Sequence, residues 1–116
     1  ASWTPLADVP MHPEYPSAHS ILAAAVGTVL RAEIGVGPTP LLGTASPSAK
    51  GVMRHWSSID DFVREVSDAR VYEGIHFRTS TEVGVEMGSR IGALAVARYL
   101  ALPHANAGPT VAARDR

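Results

Sequence analysis

The chain has no cysteine. Disulfides, thiolate metal sites and cysteine nucleophiles are therefore excluded, although this assigns no compartment. It has a single lysine, Lys50, and a net charge of −1 with neutral histidines. Nothing in such a balance would hold a polyanion, so no nucleic-acid partner is expected. Long hydrophobic runs are missing too. Ile21 to Leu30 stops at Arg31, and Ile91 to Leu102 is interrupted by Arg98. A span needs about 20 apolar residues, so no membrane insertion is expected. No signal-peptide pattern is present, and the chain starts on Ala1, as a processed or trimmed chain would. The expectation is a soluble protein, secreted or vacuolar after processing. Apolar residues make up 46% of the 116, enough for the core of one domain.

Proline and glycine punctuate what is there. Pro5, Pro10, Pro13 and Pro16 make residues 1–16 a proline-rich arm, extended or turning. Leu22, Ala23, Val26, Leu30 and Ile34 recur at helical spacing and predict a helix over 17–33. Gly35, Gly37, Pro38 and Pro40 end it, and residues 35–57 read as a loop. Ser58 followed by Asp61 resembles a capping box and opens a second helix over 58–73, closed by Gly74. A third helix is expected over 81–102, ended by Pro103. Gly84, Gly88 and Gly92 lie on one stripe of it, either for close packing against another helix or as glycines tolerated in a buried one. Residues 104–116 read as a flexible tail. With no strand-like alternation of convincing length, the fold class is all-α, a helical bundle.

Two segments carry chemistry. Pro16-Ser17-Ala18-His19 delivers a hydroxyl, backbone amides and an imidazole to a helix N-terminus, which suits anions. His19 shares a stripe with Leu22, Ala23 and Val26 and is expected to face the interior. A bland role, as a cap or a satisfied core histidine, is open to it. Arg70 falls on the apolar face of the second helix with Val63 and Val66. A guanidinium there needs a partner: a carboxylate such as Asp60 or Glu86, or a bound oxyanion. Gly74 should break the helix and let His76 turn back toward Arg70. His12, His55 and His104 show no ligand spacing and read as surface or loop histidines. Asp60 and Asp61 read as helix N-terminal charge, and Trp3 and Trp56 as packing residues.

The strings HPEYPSAHS and ARVYEGIHFR resemble the second and third oxyanion-site motifs of the vanadium-dependent haloperoxidase and acid phosphatase superfamily. Pro16-Ser17-Ala18-His19 matches Pro-Ser-Gly-His apart from Ala18, and Arg70 and His76 have the third motif's spacing. The resemblance implies a partial domain, the C-terminal half of a haloperoxidase- or phosphatase-like bundle. It implies His76 as vanadate ligand in a peroxidase, or as nucleophile in a phosphatase that needs no cofactor. It implies His19 as acid–base residue, and Arg70, the Ser17 hydroxyl and the Ala18 amide as holders of the oxyanion.

Two departures from that pattern follow. The superfamily's opening motif supplies a lysine and an arginine, and nothing before residue 16 contains either. Four residues beyond His76 the family often has an aspartate that orients the histidine; here stands Ser80. The chain alone is therefore expected to be inactive as oxidoreductase or hydrolase. Its expected partners are a small oxyanion together with a missing N-terminal half, a companion chain or further copies of itself. The alternative is a non-catalytic fragment or descendant serving in storage, inhibition or carbohydrate binding.

Overall fold

The computed structural model describes residues 2–6 and 8–100. It contains helix α1 (Ala18–Ile34), strands β1 (Leu42–Ala45) and β2 (Met53–Trp56), helix α2 (Ile59–Tyr72) and helix α3 (Arg78–Ala95). A short 3-10 turn, Pro47–Ala49, joins the strands, and a π-helical turn, Val96–Leu100, continues α3. The architecture is a small helical bundle in which α1 packs on both α3 and α2. Among the described residues no helix is long and apolar enough to cross a membrane.

Ser17 caps α1 by accepting from the Ser20 amide at 3.4 Å, and Ser58 caps α2 by accepting from Asp60 and Asp61. Asp60 and Asp61 do lie in the first turn of α2, where they pair with Arg31 and Arg64. The third helix starts at Arg78, three residues before the expected 81. Its cap residue, Phe77, has no capping side chain of its own; the Glu14 carboxylate accepts the Phe77 N–H at 2.8 Å instead. A cap supplied from so far upstream leaves no local signature. The end expected at 102 and the tail at 104–116 lie outside the described residues.

The glycine stripe sits in the α1–α3 contact. An ideal Cβ on Gly84 would come within 2.7 Å of the Ser17 carbonyl oxygen, and one on Gly88 within 2.1 Å of the Ile21 oxygen. One on Gly92 would stand 2.6 Å from Thr28 Cβ. The stripe brings two backbones of one chain together, the close helix packing that was one of its two expected roles. On α1 the face toward the core is made of small residues, Ser20, Ala23, Ala24 and Gly27. Ala24 clusters with Ile59 and Val63, against which Leu30, Ile34, Leu42, Phe62 and Val85 pack.

Residues 35–57 are not all loop, contrary to the composition-based expectation. Leu42 pairs with Trp56 and Ala45 with Met53 in an antiparallel hairpin. Four-residue strands with an exposed middle are too short for a two-residue period to show. The hairpin is moored from one end. Trp56 is buried, meets Phe62 edge-on with centroids 5.2 Å apart, and donates its indole N–H to Glu65 at 2.9 Å. Arg54 grips the same carboxylate at 2.7 and 2.8 Å. Glu65→Ala should therefore leave the buried indole N–H without an acceptor. We expect a loss of about 1 kcal/mol, kept small because the Arg54 pair is solvent-exposed, and a red shift of tryptophan emission. An unshifted emission spectrum would show that Glu65 does not hold the hairpin.

Candidate functional site

The end of α2 explains the spacing between Arg70 and His76. Gly74 adopts φ +75°, the left-handed region that glycine enters without penalty. The Ile75 N–H then reaches the Arg70 carbonyl at 3.2 Å and the Gly74 N–H reaches that of Val71 at 3.0 Å, which is a Schellman closure. The His76 N–H joins the same Arg70 carbonyl at 3.2 Å. The chain has reversed within one turn, and the imidazole lies back beside the helix end, as the glycine stop implied. Trp3 lies against Gly74, and the Leu6 amide bonds the Glu73 carbonyl, so the proline-rich arm crosses this end of the helix.

The arm also carries the second motif to the third. The Ser17 N–H donates to the Ser80 carbonyl at 3.0 Å. His76 is buried, and its Nδ1 lies 2.5 Å from the Glu14 carbonyl oxygen. A carbonyl can only accept, so Nδ1 carries a proton, and whenever the ring is neutral Nε2 keeps its lone pair. Nε2 is buried without a protein partner, and so is Nε of Arg70. Arg70 is otherwise held by Glu73, its Nη1 2.5 Å from that carboxylate. The anticipated carboxylates are elsewhere: Asp60 pairs with Arg31 and Glu86 with Arg90. An i,i+3 partner on the same helix face was available and closer.

His12 belongs to this cluster, not to the surface. Its ring stacks on His76 at 5.6 Å with a 12° tilt and lies 6.3 Å from the His19 ring, and its Nε2 is also buried without a partner. No spacing rule singled it out, because it stands in an irregular arm. His55 is exposed on β2, and His104 lies outside the described residues.

His19 departs from expectation in orientation. Together with Leu22 and Val26 it is exposed, whereas Ala23 is buried. The glycines of α3 admit only the small-residue face of α1, so the larger apolar stripe that begins at His19 faces outward. Ile91 and Leu94 of α3 are exposed as well, and an apolar groove runs between the helices past Val26, Val29, Leu30, Ile91 and Ala95. Partial burial, then the charge of Arg70 and the neighbouring His12 and His76 rings, push His19 below the usual histidine range, opposed by Glu73. Its protonation is thus disfavoured by folding. The stability it contributes is complete above the unfolded value of about 6.5 and is lost as pH falls toward its lower folded value. Arg70→Met should raise the His19 midpoint in a proton-detected titration; an unmoved midpoint would place the guanidinium out of its reach.

Ser17 is fully buried and accepts from the Ser20 amide and hydroxyl, which leaves its own O–H to donate. Ala18 is exposed, and as the first residue of α1 its N–H has no partner inside the helix. The structure thus brings His76, Arg70, His19 and His12 together beside the N-terminus of α1, where Ser17 and Ala18 stand. Ser80 faces Glu14: its hydroxyl donates to the Glu14 carboxylate at 2.5 Å, so it does not serve His76 directly. That bond and the Phe77 amide hold the Glu14 carboxyl below its usual range. Glu14, like His12, is a residue of this site that sequence reasoning missed.

Residues 1–104 match the family described as the VCPO second helical-bundle domain. Among solved structures, the first bacterial vanadium-dependent iodoperoxidase is 32% identical, with a TM-score of 0.71 over 82% of this chain and 23% of that one. A bacterial vanadium-dependent chloroperoxidase is 26% identical in its holo form, with a TM-score of 0.65 over 80% of this chain and 22% of that one. Its apo form gives 26% and 0.64 over the same shares. The chain therefore spans less than a quarter of the length of these solved proteins. No curated protein matches it.

Proposed function

We propose, from the premise that the chain belongs to the VCPO second helical-bundle domain family, that it forms one wall of a haloperoxidase oxyanion site, with vanadate as the resident group. The observation that carries this reading is a set of buried polar atoms without partners in one cluster: His76 Nε2, Arg70 Nε and His12 Nε2. Leaving such atoms unpaired costs about 1–3 kcal/mol each, and their grouping fits vanadate, whose oxygens would accept from Arg70 Nε–H and whose metal centre would take the His76 Nε2 lone pair.

In this reading His76 offers the Nε2 lone pair as ligand, because Nδ1 is committed to Glu14. Arg70, fixed by Glu73, keeps a donor for an anionic oxygen. The Ala18 amide and the Ser17 hydroxyl add neutral donors at the positive end of α1. His19, held below the ordinary histidine range, is the imidazole that would accept a proton and return it. Vanadate, when bound, supplies a Lewis-acidic centre at which peroxide becomes competent to oxidise a halide. The two solved relatives, an iodoperoxidase and a chloroperoxidase that are vanadium-dependent by name, favour this reading over phosphate-ester hydrolysis.

The remainder of such a domain would cover the outward stripe of His19, Leu22 and Val26 and supply the cations this chain lacks. Orthovanadate titration with and without His76→Ala tests the reading. Binding that is lost with the imidazole supports it; equal binding by both chains rejects it.

A further inference from the structure

We propose that Glu14 is the positioning residue of His76, selecting which ring nitrogen the site presents. This rests on the oxyanion reading above. Glu14 touches the His76 segment in three ways. Its main-chain oxygen takes the Nδ1 proton at 2.5 Å. Its carboxylate accepts the Phe77 N–H at 2.8 Å and the Ser80 O–H at 2.5 Å. That carboxylate oxygen also stands 3.6 Å from Nδ1 itself.

The side chain thus clips residue 14 to the start of α3, and the clip holds its carbonyl against the ring. The two contacts depend on each other, because the carbonyl sits in an irregular arm that no helix or strand would otherwise fix. A ring nitrogen's protonation is set by the hydrogen bond made at the other nitrogen. Free imidazole side chains favour the proton on Nε2, the wrong nitrogen for a ligand. Neighbouring groups offer no substitute. Ser80 spends its proton on Glu14, and Glu73, the other carboxylate near the cluster, is taken by Arg70. The family's aspartate position is occupied by Ser80, and Glu14 supplies the carboxylate from the other motif.

The test uses the full 116-residue chain with 15N-labelled histidine. The His76 ring pattern is read in two-bond 1H–15N spectra at about pH 8, where imidazoles are uncharged. The parent should show Nδ1–H with a bare Nε2. Glu14→Ala should shift His76 toward the Nε2–H form and weaken orthovanadate binding roughly 10- to 100-fold. Glu14→Gln, which keeps an acceptor oxygen in place, should restore the parent pattern. If Glu14→Ala loses its helical far-UV spectrum, Glu14→Asp decides: it is one methylene too short to reach both donors and should shift the pattern in part. A His76 ring that stays Nδ1–H in every folded variant overturns the proposal, since a merely structural Glu14 would lower stability without moving the proton. A parent chain with the expected ring pattern but no affinity for orthovanadate would reject the oxyanion reading and leave the Glu14 result standing.

Discussion

A chain carrying Gly88→Ala is expected to lose about 3 kcal/mol or more of folding stability, enough to unfold much of a small domain. The reason is what the new methyl would meet. At 2.1 Å from the Ile21 carbonyl oxygen and 2.8 Å from Ala24 Cβ, it strikes backbone on the facing helix, which no rotamer change relieves. The helices must separate, and separation opens the contacts of Gly84 and Gly92 above and below. Since the Ser17 oxygen lies over Gly84, the second motif would move as well. Gly37→Ala is the control: its only near neighbour is the Ile34 oxygen at an ordinary 3.5 Å, and the change should stay within about 0.5 kcal/mol. Urea midpoints for the two variants check both statements, and a Gly88→Ala chain as stable as the parent would mean that α1 and α3 do not pack this closely.

That contact shows how the sequence could be read and where reading stopped. The four-residue spacing of the glycines was visible, and so was the cap at Ser58, because each signal lies within one turn of the feature it makes. The reversal at Gly74 was equally local, and it brought His76 back beside Arg70. Three features were not local. The start of α3 depends on a carboxylate supplied by Glu14, so no run of residues around Phe77 could announce it. His12 enters the cluster through the path of an irregular arm, which has no period. The hairpin is held by Trp56, Glu65 and Arg54, residues of two elements whose meeting no alternation forecast. The facing of His19 was misjudged for a related reason. An apolar stripe marks a face that becomes buried, but it does not say by what, and the glycines of α3 had already reserved the small-residue face of α1.

The second large effect concerns charge. In the proposed site vanadate would bring at least one negative charge into the cluster, and among its named residues the standing cation is Arg70. The superfamily pattern has two more cations, and neither occurs before residue 16. A charge-assisted hydrogen bond contributes roughly 1.5–3 kcal/mol, so their absence weakens oxyanion binding by about 3–6 kcal/mol, or two to four orders of magnitude. The isolated chain is therefore expected to hold orthovanadate about two to four orders of magnitude more weakly than a site with all three cations, and to show little or no bromide oxidation or aryl-phosphate hydrolysis. Arg70→Met should remove about a further tenfold or more of that affinity, because it deletes the remaining guanidinium while keeping much of its apolar stem. Robust turnover by the isolated chain, abolished by His76→Ala, would show that the remaining donors suffice and that the charge argument is wrong.

The most direct test of the site is a single titration. Orthovanadate is added to the chain labelled with 15N in histidine and arginine, and the His76 Nε2 and Arg70 Nε resonances are followed. Saturable shifts of both with one midpoint, absent in the His76→Ala chain, are the predicted result. Resonances that stay in place at saturating orthovanadate, or a His76→Ala chain whose Arg70 signal moves as in the parent, would contradict an oxyanion site built on these two residues.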